Sequence, residues 1–196
     1  MQTGQELLLA LQQNIDGAIA VTSTVRAARS LRQQYNRAQQ AADKKGWRTP
    51  TILAWEPWLA ALWDAAILSG VESRVLLTSV QEAELWRRIL TQDEVAAFTL
   101  SIEGLAEQAQ QTWRAMQQYR ISLRDVRNDG SMDGQAFSRW ATEMERVCRR
   151  SSFVSPSQME AALASAVGSG KIQLPKEIFL IGFDRATPSQ NLLRDA

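Results

Sequence analysis

The sequence predicts an α/β chain dominated by helix, in which a small parallel sheet is interrupted by a large all-helical insertion. Three observations carry that prediction. Short apolar runs at 18–21, 51–54 and 178–182 have the length and composition of strands buried on both faces, as parallel strands are. The first two alternate with long helical patterns, and strand–helix–strand order implies parallel pairing through a crossover helix. Residues 76–170 then show helical periodicity throughout, too long a stretch for one crossover, so they read as an inserted block. The expected division is therefore 1–75, 76–170 and a return to the sheet domain at 171–196.

Each element has a local reason. Gln5 to Gln13 is leucine-rich and closed by Asn14-Ile15-Asp16-Gly17. After the Ala18–Val21 strand, Thr22-Ser23-Thr24 supplies N-cap hydroxyls for a helix from Val25 to Lys44. Ala28, Leu31, Tyr35, Ala38 and Ala42 recur at steps of three and four, which predicts one buried stripe. Gly46 is expected to end that helix as a C′ glycine. Thr51 to Ala54 forms the second strand, and Trp55-Glu56-Pro57 opens a helix to Ser69 with proline in the tolerated first turn.

The helical block begins with Thr78-Ser79 capping a segment that carries Leu85, Trp86, Ile89 and Leu90. Long patterns follow at Val95–Tyr119 and Gly134–Arg150, parted by an Asp129-Gly130 turn. Ser155-Pro156-Ser157 starts another helix, to Val167, which Gly168-Ser169-Gly170 ends. Leu174-Pro175-Lys176 leads into the last strand. Thr187-Pro188 opens a closing helix inside which the chain stops, the pattern expected of a piece of something longer.

Composition narrows the function classes. Net charge is +1, so no whole-chain field argues for nucleic acid. The single cysteine, Cys148, forbids an internal disulfide framework and fits a reducing compartment. No signal peptide and no membrane span is expected, which places the chain in the cytoplasm. Histidine is absent, so these residues supply no His triad, His base or His metal ligand. A phosphate-gripping loop, Gly-x-x-x-x-Gly-Lys-Ser/Thr, is absent too: the segment after the first strand, Ser23 to Leu31, contains neither glycine nor lysine.

The arrangement nevertheless resembles a known one. Ile19-Ala-Val-Thr-Ser-Thr-Val-Arg-Ala-Ala-Arg-Ser-Leu31 is similar to the second conserved segment of superfamily 1 helicases, a strand ending in Thr-x-Thr-Asn before a helix with an Ala-Ala pair. Thr51-Ile-Leu-Ala-Trp-Glu-Pro-Trp58 resembles the next segment, and Ile178 to Gln190 resembles the Walker B region as degenerated in AddB- and RecC-type pseudo-helicases. In those, Gly-Phe replaces the acidic pair ahead of a Thr-Pro, as Gly182-Phe183 does here; Asp184 lies two residues past Gly182. The likeness is strongest to bacterial probable DNA repair proteins that join an inactivated helicase-like N-terminal region to a PD-(D/E)XK nuclease module.

The resemblance implies a partial RecA-like (P-loop NTPase-type) domain with an inserted 1B-like helical subdomain, Met1 falling just after the place of the phosphate loop. It implies a non-enzymatic DNA-binding scaffold for repair or recombination, without a cofactor and without catalytic residues in this stretch. Single-stranded or double-stranded DNA is the expected partner, with a helicase or nuclease subunit as a further one and no membrane. Carried over residue by residue, the candidate DNA contacts are Thr22, Ser23, Thr24, Arg26, Arg29 and Trp55.

Each candidate has a plainer reading beside it. Between Thr24 and Pro50 stand seven basic residues against one acidic. Arg26, Arg37 and Lys44 are expected to share a helix face with Arg29 at its margin, either as phosphate contacts or as a solvated surface. Trp55, at a strand end, is a base-stacking candidate, while Trp58 and Trp63 sit at the spacing of a packed core. Trp86, Trp113 and Trp140 are expected to hold the helical block together. Asp184 reads as a metal ligand or as an N-cap or dipole-stabilising charge near the Thr187 helix start, and Cys148 as a reactive thiol or a buried small hydrophobe.

Overall fold

The computed structural model describes residues 4–15, 17–94, 96, 101–128 and 130–196. Along the chain run α1 (Gly4–Gln13), β1 (Ala18–Thr22), α2 (Val25–Ala41), β2 (Thr51–Ala54) and α3 (Trp55–Leu68). There follow β3 (Val75–Leu76), α4 (Ser79–Thr91), α5 (Ile102–Tyr119), α6 (Leu123–Asn128), α7 (Met132–Arg150) and β4 (Phe153–Val154). A 3-10 turn at Pro156–Gln158 leads to α8 (Met159–Gly168), β5 (Glu177–Ile181) and α9 (Pro188–Arg194). The chain is helix-dominated with a small parallel sheet of three strands, and among the described residues no helix is long and apolar enough to cross a membrane.

The chain divides into two compact units. The sheet unit comprises Met1–Ala66 and Gly170–Arg185; the helical unit comprises Ile67–Ser169 and Ala186–Ala196, so the closing helix α9 belongs to the helical unit.

In the sheet unit the strand order is β2-β1-β5, all parallel. β1 lies between two neighbours and every residue of Ala18–Thr22 is buried, which is why an unbroken apolar run is stable there. Leu11, Ala18, Ala20, Ala28, Leu31 and Ile52 form its core, with Phe179 and Ile181 of β5 packed against them. β2 is an end strand, and the Arg32 guanidinium donates to its Ile52 carbonyl at 2.7 Å, giving an edge group a partner.

α2 is shorter than its sequence pattern suggests. It ends at Ala41 rather than Lys44, and its terminator is Asp43, in the left-handed region at φ 54°, rather than Gly46. Asp43 N–H donates to Gln40 O and Lys44 N–H to Gln39 O, the two bonds of a Schellman motif. Aspartate tolerates this conformation better than most side chains, so no glycine is needed. The buried stripe is Ala28, Leu31, Tyr35 and Gln39, while Ala38 and Ala42 are exposed. Burying Gln39 is possible because its amide donates to Gln12 Oε1 at 3.1 Å and accepts from Lys44 Nζ at 2.7 Å.

The helical unit has its own core, built on Trp86, Trp113, Phe137, Trp140, Ala141 and Met144. The three tryptophans expected to bind the block together do sit in this one cluster. α4 starts in a capping box, Thr78 with Gln81, and α9 in another, Thr187 with Gln190. Thr187, not Asp184, is the cap. Of the expected helix from Val95 the structure shows Ile102–Tyr119, capped by Ser101; Val95 and residues 97–100 lie outside the described residues, as do Asp16 and Asp129 of the expected turns. Gly130, at φ 78°, has the left-handed backbone a turn requires. Two features went unforeseen: the short helix α6, and a second parallel pair of two-residue strands, β3 with β4. Cys148 is a core residue. Burial, with the charges of Glu82 and Glu145 adding to it, pushes its thiol up to about 11, the reverse of a reactive thiolate.

α5 also ends in a Schellman motif, with Arg120 in the left-handed region at φ 55° and Ile121 N–H donating to Met116 O. Arg120 is exposed. Arg120→Gly is therefore expected to raise the stability of the helical unit by roughly 0.5–1 kcal/mol, the conformational penalty less the extra entropy of an unfolded glycine. A lower urea midpoint for the variant would contradict this.

Candidate nucleic-acid interface

The register sets the carboxyl ends of the three sheet strands flush. Thr22 pairs with Ala54 on one side and with Ile181 on the other. The segments that follow, Ser23-Thr24, Trp55-Glu56 and Gly182-Phe183-Asp184, therefore emerge along one edge of the sheet. Ligands of open parallel sheets bind at that edge, outside the carboxyl ends of the strands.

Within this edge the candidates divide by burial. Thr22 is wholly buried, and its hydroxyl donates to Thr24 O at 2.9 Å and toward Leu53 O at 3.4 Å. It braces the loop and cannot touch a ligand, a correction to its assignment as a contact. Ser23 and Thr24 are exposed. Thr24 is committed to capping: its Oγ1 accepts from Ala27 N at 3.1 Å, which satisfies one of the free N–H groups at the start of α2.

Trp55 is also corrected. It is 6% exposed, with its ring centroid 5.1 Å from that of Trp58 and 5.4 Å from that of Phe183, the latter edge-on. A ring held between two aromatic neighbours has no free face for a base. What the sequence presented as a stacking platform is the anchor for the loop that follows β5.

That loop turns on Gly182, at φ 78°. Ser23 N–H continues the ladder by donating to Ile181 O at 3.0 Å, and a Cβ on residue 182 would come within 2.9 Å of Ser23 Oγ. Glycine is thus required twice, by conformation and by space. Gly182→Ala is expected to cost about 1–2 kcal/mol. Adding Ser23→Ala would recover only the steric part, and full recovery in the double variant would show that the backbone conformation carries no penalty. Asp184 is exposed beyond this turn.

The exposed charge lies on α2. Its seventeen residues include no carboxylate. With 100° per residue, Arg26, Ser30, Gln33, Arg37 and Gln40 point the same way, opposite the buried stripe, and Arg29 stands at the margin; all six are exposed. The side chains of Arg26, Arg29 and Arg37 form no ion pair or hydrogen bond among the described residues. Lys44 does not join them, contrary to its sequence spacing, because it lies past the helix end and is held by Gln39.

The chain matches no protein-family model, and no curated protein matches it.

Proposed function

We propose that this chain is a non-catalytic, helicase-like part of a DNA repair or recombination nuclease, its sheet unit a partial RecA-like domain and its helical unit the insertion, serving as a DNA-binding scaffold. The observation that carries the reading is the flush sheet edge, where the three segments that resemble helicase motifs emerge side by side with the arginines of α2 following directly from one of them. Parallel order and register supply the framework on which such motifs work together.

The same edge does not suit a magnesium nucleotide. None of its three loops contains a lysine, and Gly182-Phe183 stands where the acidic pair of a working motor would be. No phosphoryl-transfer step follows from these residues. The reading therefore expects DNA binding without ATP hydrolysis.

Its test is direct. The triple variant Arg26→Glu, Arg29→Glu, Arg37→Glu should bind a fluorescent DNA oligonucleotide at least about tenfold more weakly than the parent, with an unchanged circular dichroism spectrum. Equal binding by the folded variant would remove α2 from the interface. A thermal upshift with Mg-ATP would contradict the loss of the motor.

One observation favours a second reading, in which the helical unit docks a partner helicase or nuclease subunit. A groove of about 470 Å³ on α4 and α5 is lined by Val80, Ala83 and Ala106 together with Glu84, Arg87, Glu103 and Glu107, and Val80 is 75% exposed. Absence of any DNA binding by the folded chain would turn the balance toward this surface.

A further inference from the structure

Resting on the DNA-binding reading, we infer that α2 engages the phosphodiester backbone alone, so that single strands and duplexes bind alike and base sequence is not read. Preference for single strands comes mainly from aromatic rings on which unpaired bases stack. Most of the sheet unit's rings are withdrawn, and its half-buried Phe183 is held edge-on against Trp55. Trp55, Trp58, Trp63 and Tyr35 are all buried, and the Tyr35 hydroxyl is committed to Arg48 O at 3.2 Å. Trp47, half-buried, donates its indole N–H to Asn36 Oδ1 at 3.0 Å.

The outward face of α2 is cationic and hydrogen-bonding. Arg26 and Arg37 stand eleven residues apart on one helix, about 16 Å, which reaches across several phosphates of one strand whether or not that strand is paired. Ser30 and Gln33 lie between them as neutral donors suited to phosphate oxygens. The structure also sets which charges face outward. Arg32 is turned to the Ile52 carbonyl and Lys44, past the helix end, to Gln39, so Arg26, Arg29 and Arg37 are the cations that α2 presents on its outward face and margin.

Three phosphate contacts fix the salt response. The slope of log K against log salt should be about −2.7 on duplex and about −2.1 on a single strand. Between 50 and 200 mM KCl, affinity should then fall about 40-fold and about 20-fold respectively.

The experiment is fluorescence anisotropy of the 1–196 chain with a mixed-sequence 20-mer, single-stranded and annealed to its complement, across that salt range. Affinities within about threefold of each other at 100 mM, with Arg37→Gln lowering each slope by roughly 0.7–0.9, are the expected result. A tenfold or greater preference for the single strand, or a shallow slope, would overturn backbone-only recognition while leaving DNA binding intact. A strong dependence on base sequence would overturn it as well, pointing to Gln33 and Gln40 as base readers. No binding of either DNA by the folded chain would instead defeat the DNA-binding reading itself.

Discussion

Glu82→Ala is expected to destabilise the helical unit by about 2–4 kcal/mol, read as a lower urea midpoint with unchanged slope. Glu82 is 2% exposed and forms no ion pair among the described residues. Its carboxylate is satisfied by neutral donors instead. Oε1 accepts from Ser155 Oγ at 2.5 Å and Oε2 from Gln110 Nε2 at 2.8 Å. Ser155 directs its one proton to Glu82, so its lone pairs are free to accept from Trp113 Nε1 at 3.2 Å and from Ser157 Oγ at 2.8 Å. Every capacity of that buried hydroxyl is used.

The network ties α4 to α5 and to the turn before α8. Removing the carboxylate leaves the buried Ser155 hydroxyl without its acceptor, takes one from the half-buried Gln110 amide and opens a void, which is why the expected loss exceeds that of one ordinary hydrogen bond. Glu82→Gln retains the shape and one acceptor oxygen, and should cost only about 1 kcal/mol. If Ala and Gln proved equally harmful, the negative charge rather than the hydrogen bonds would be the stabilising element.

The second large effect is at Trp113. Trp113→Ala should cost about 3–5 kcal/mol, the range for deleting a fully buried aromatic side chain, because the ring is 1% exposed and packs edge-on against Trp86 with centroids 6.1 Å apart. The sharper comparison is with phenylalanine. Trp113→Phe leaves Ser155 without one of its donors, whereas the Trp86 indole N–H finds no acceptor among the described residues. Trp86→Phe removes that unmet donor while keeping the near-parallel stacking on Phe137, 6.0 Å away. It should therefore be the milder change by about 1 kcal/mol. The opposite order in thermal melts would show that ring volume, not polar satisfaction, governs this core.

Some of this structure could be read directly and some could not, for physical reasons that individual residues make plain. The three sheet strands announced themselves as apolar runs, and the caps at Thr24, Thr78 and Thr187 were accessible because an N-cap acts within three or four residues. The end of α2 was misplaced because glycine is the usual left-handed terminator and Asp43 took that place. β3 and β4 left no readable signal: each is two residues long, and Val75 finds Phe153 far along the chain.

At the candidate interface the same limit decides which residues face outward. The sequence alone placed strands at 18–21, 51–54 and 178–182, each followed by a helix, and determined that no lysine loop lies among these residues. It also placed Arg26, Arg29 and Arg37 on α2, since helical periodicity is local. Only the tertiary structure decided that Thr22 is a buried brace, that Lys44 turns away, and that Trp55 is closed off by Phe183. Burial depends on what arrives from elsewhere in the chain, and β5, which carries Phe183 to Trp55, returns only after the entire helical block.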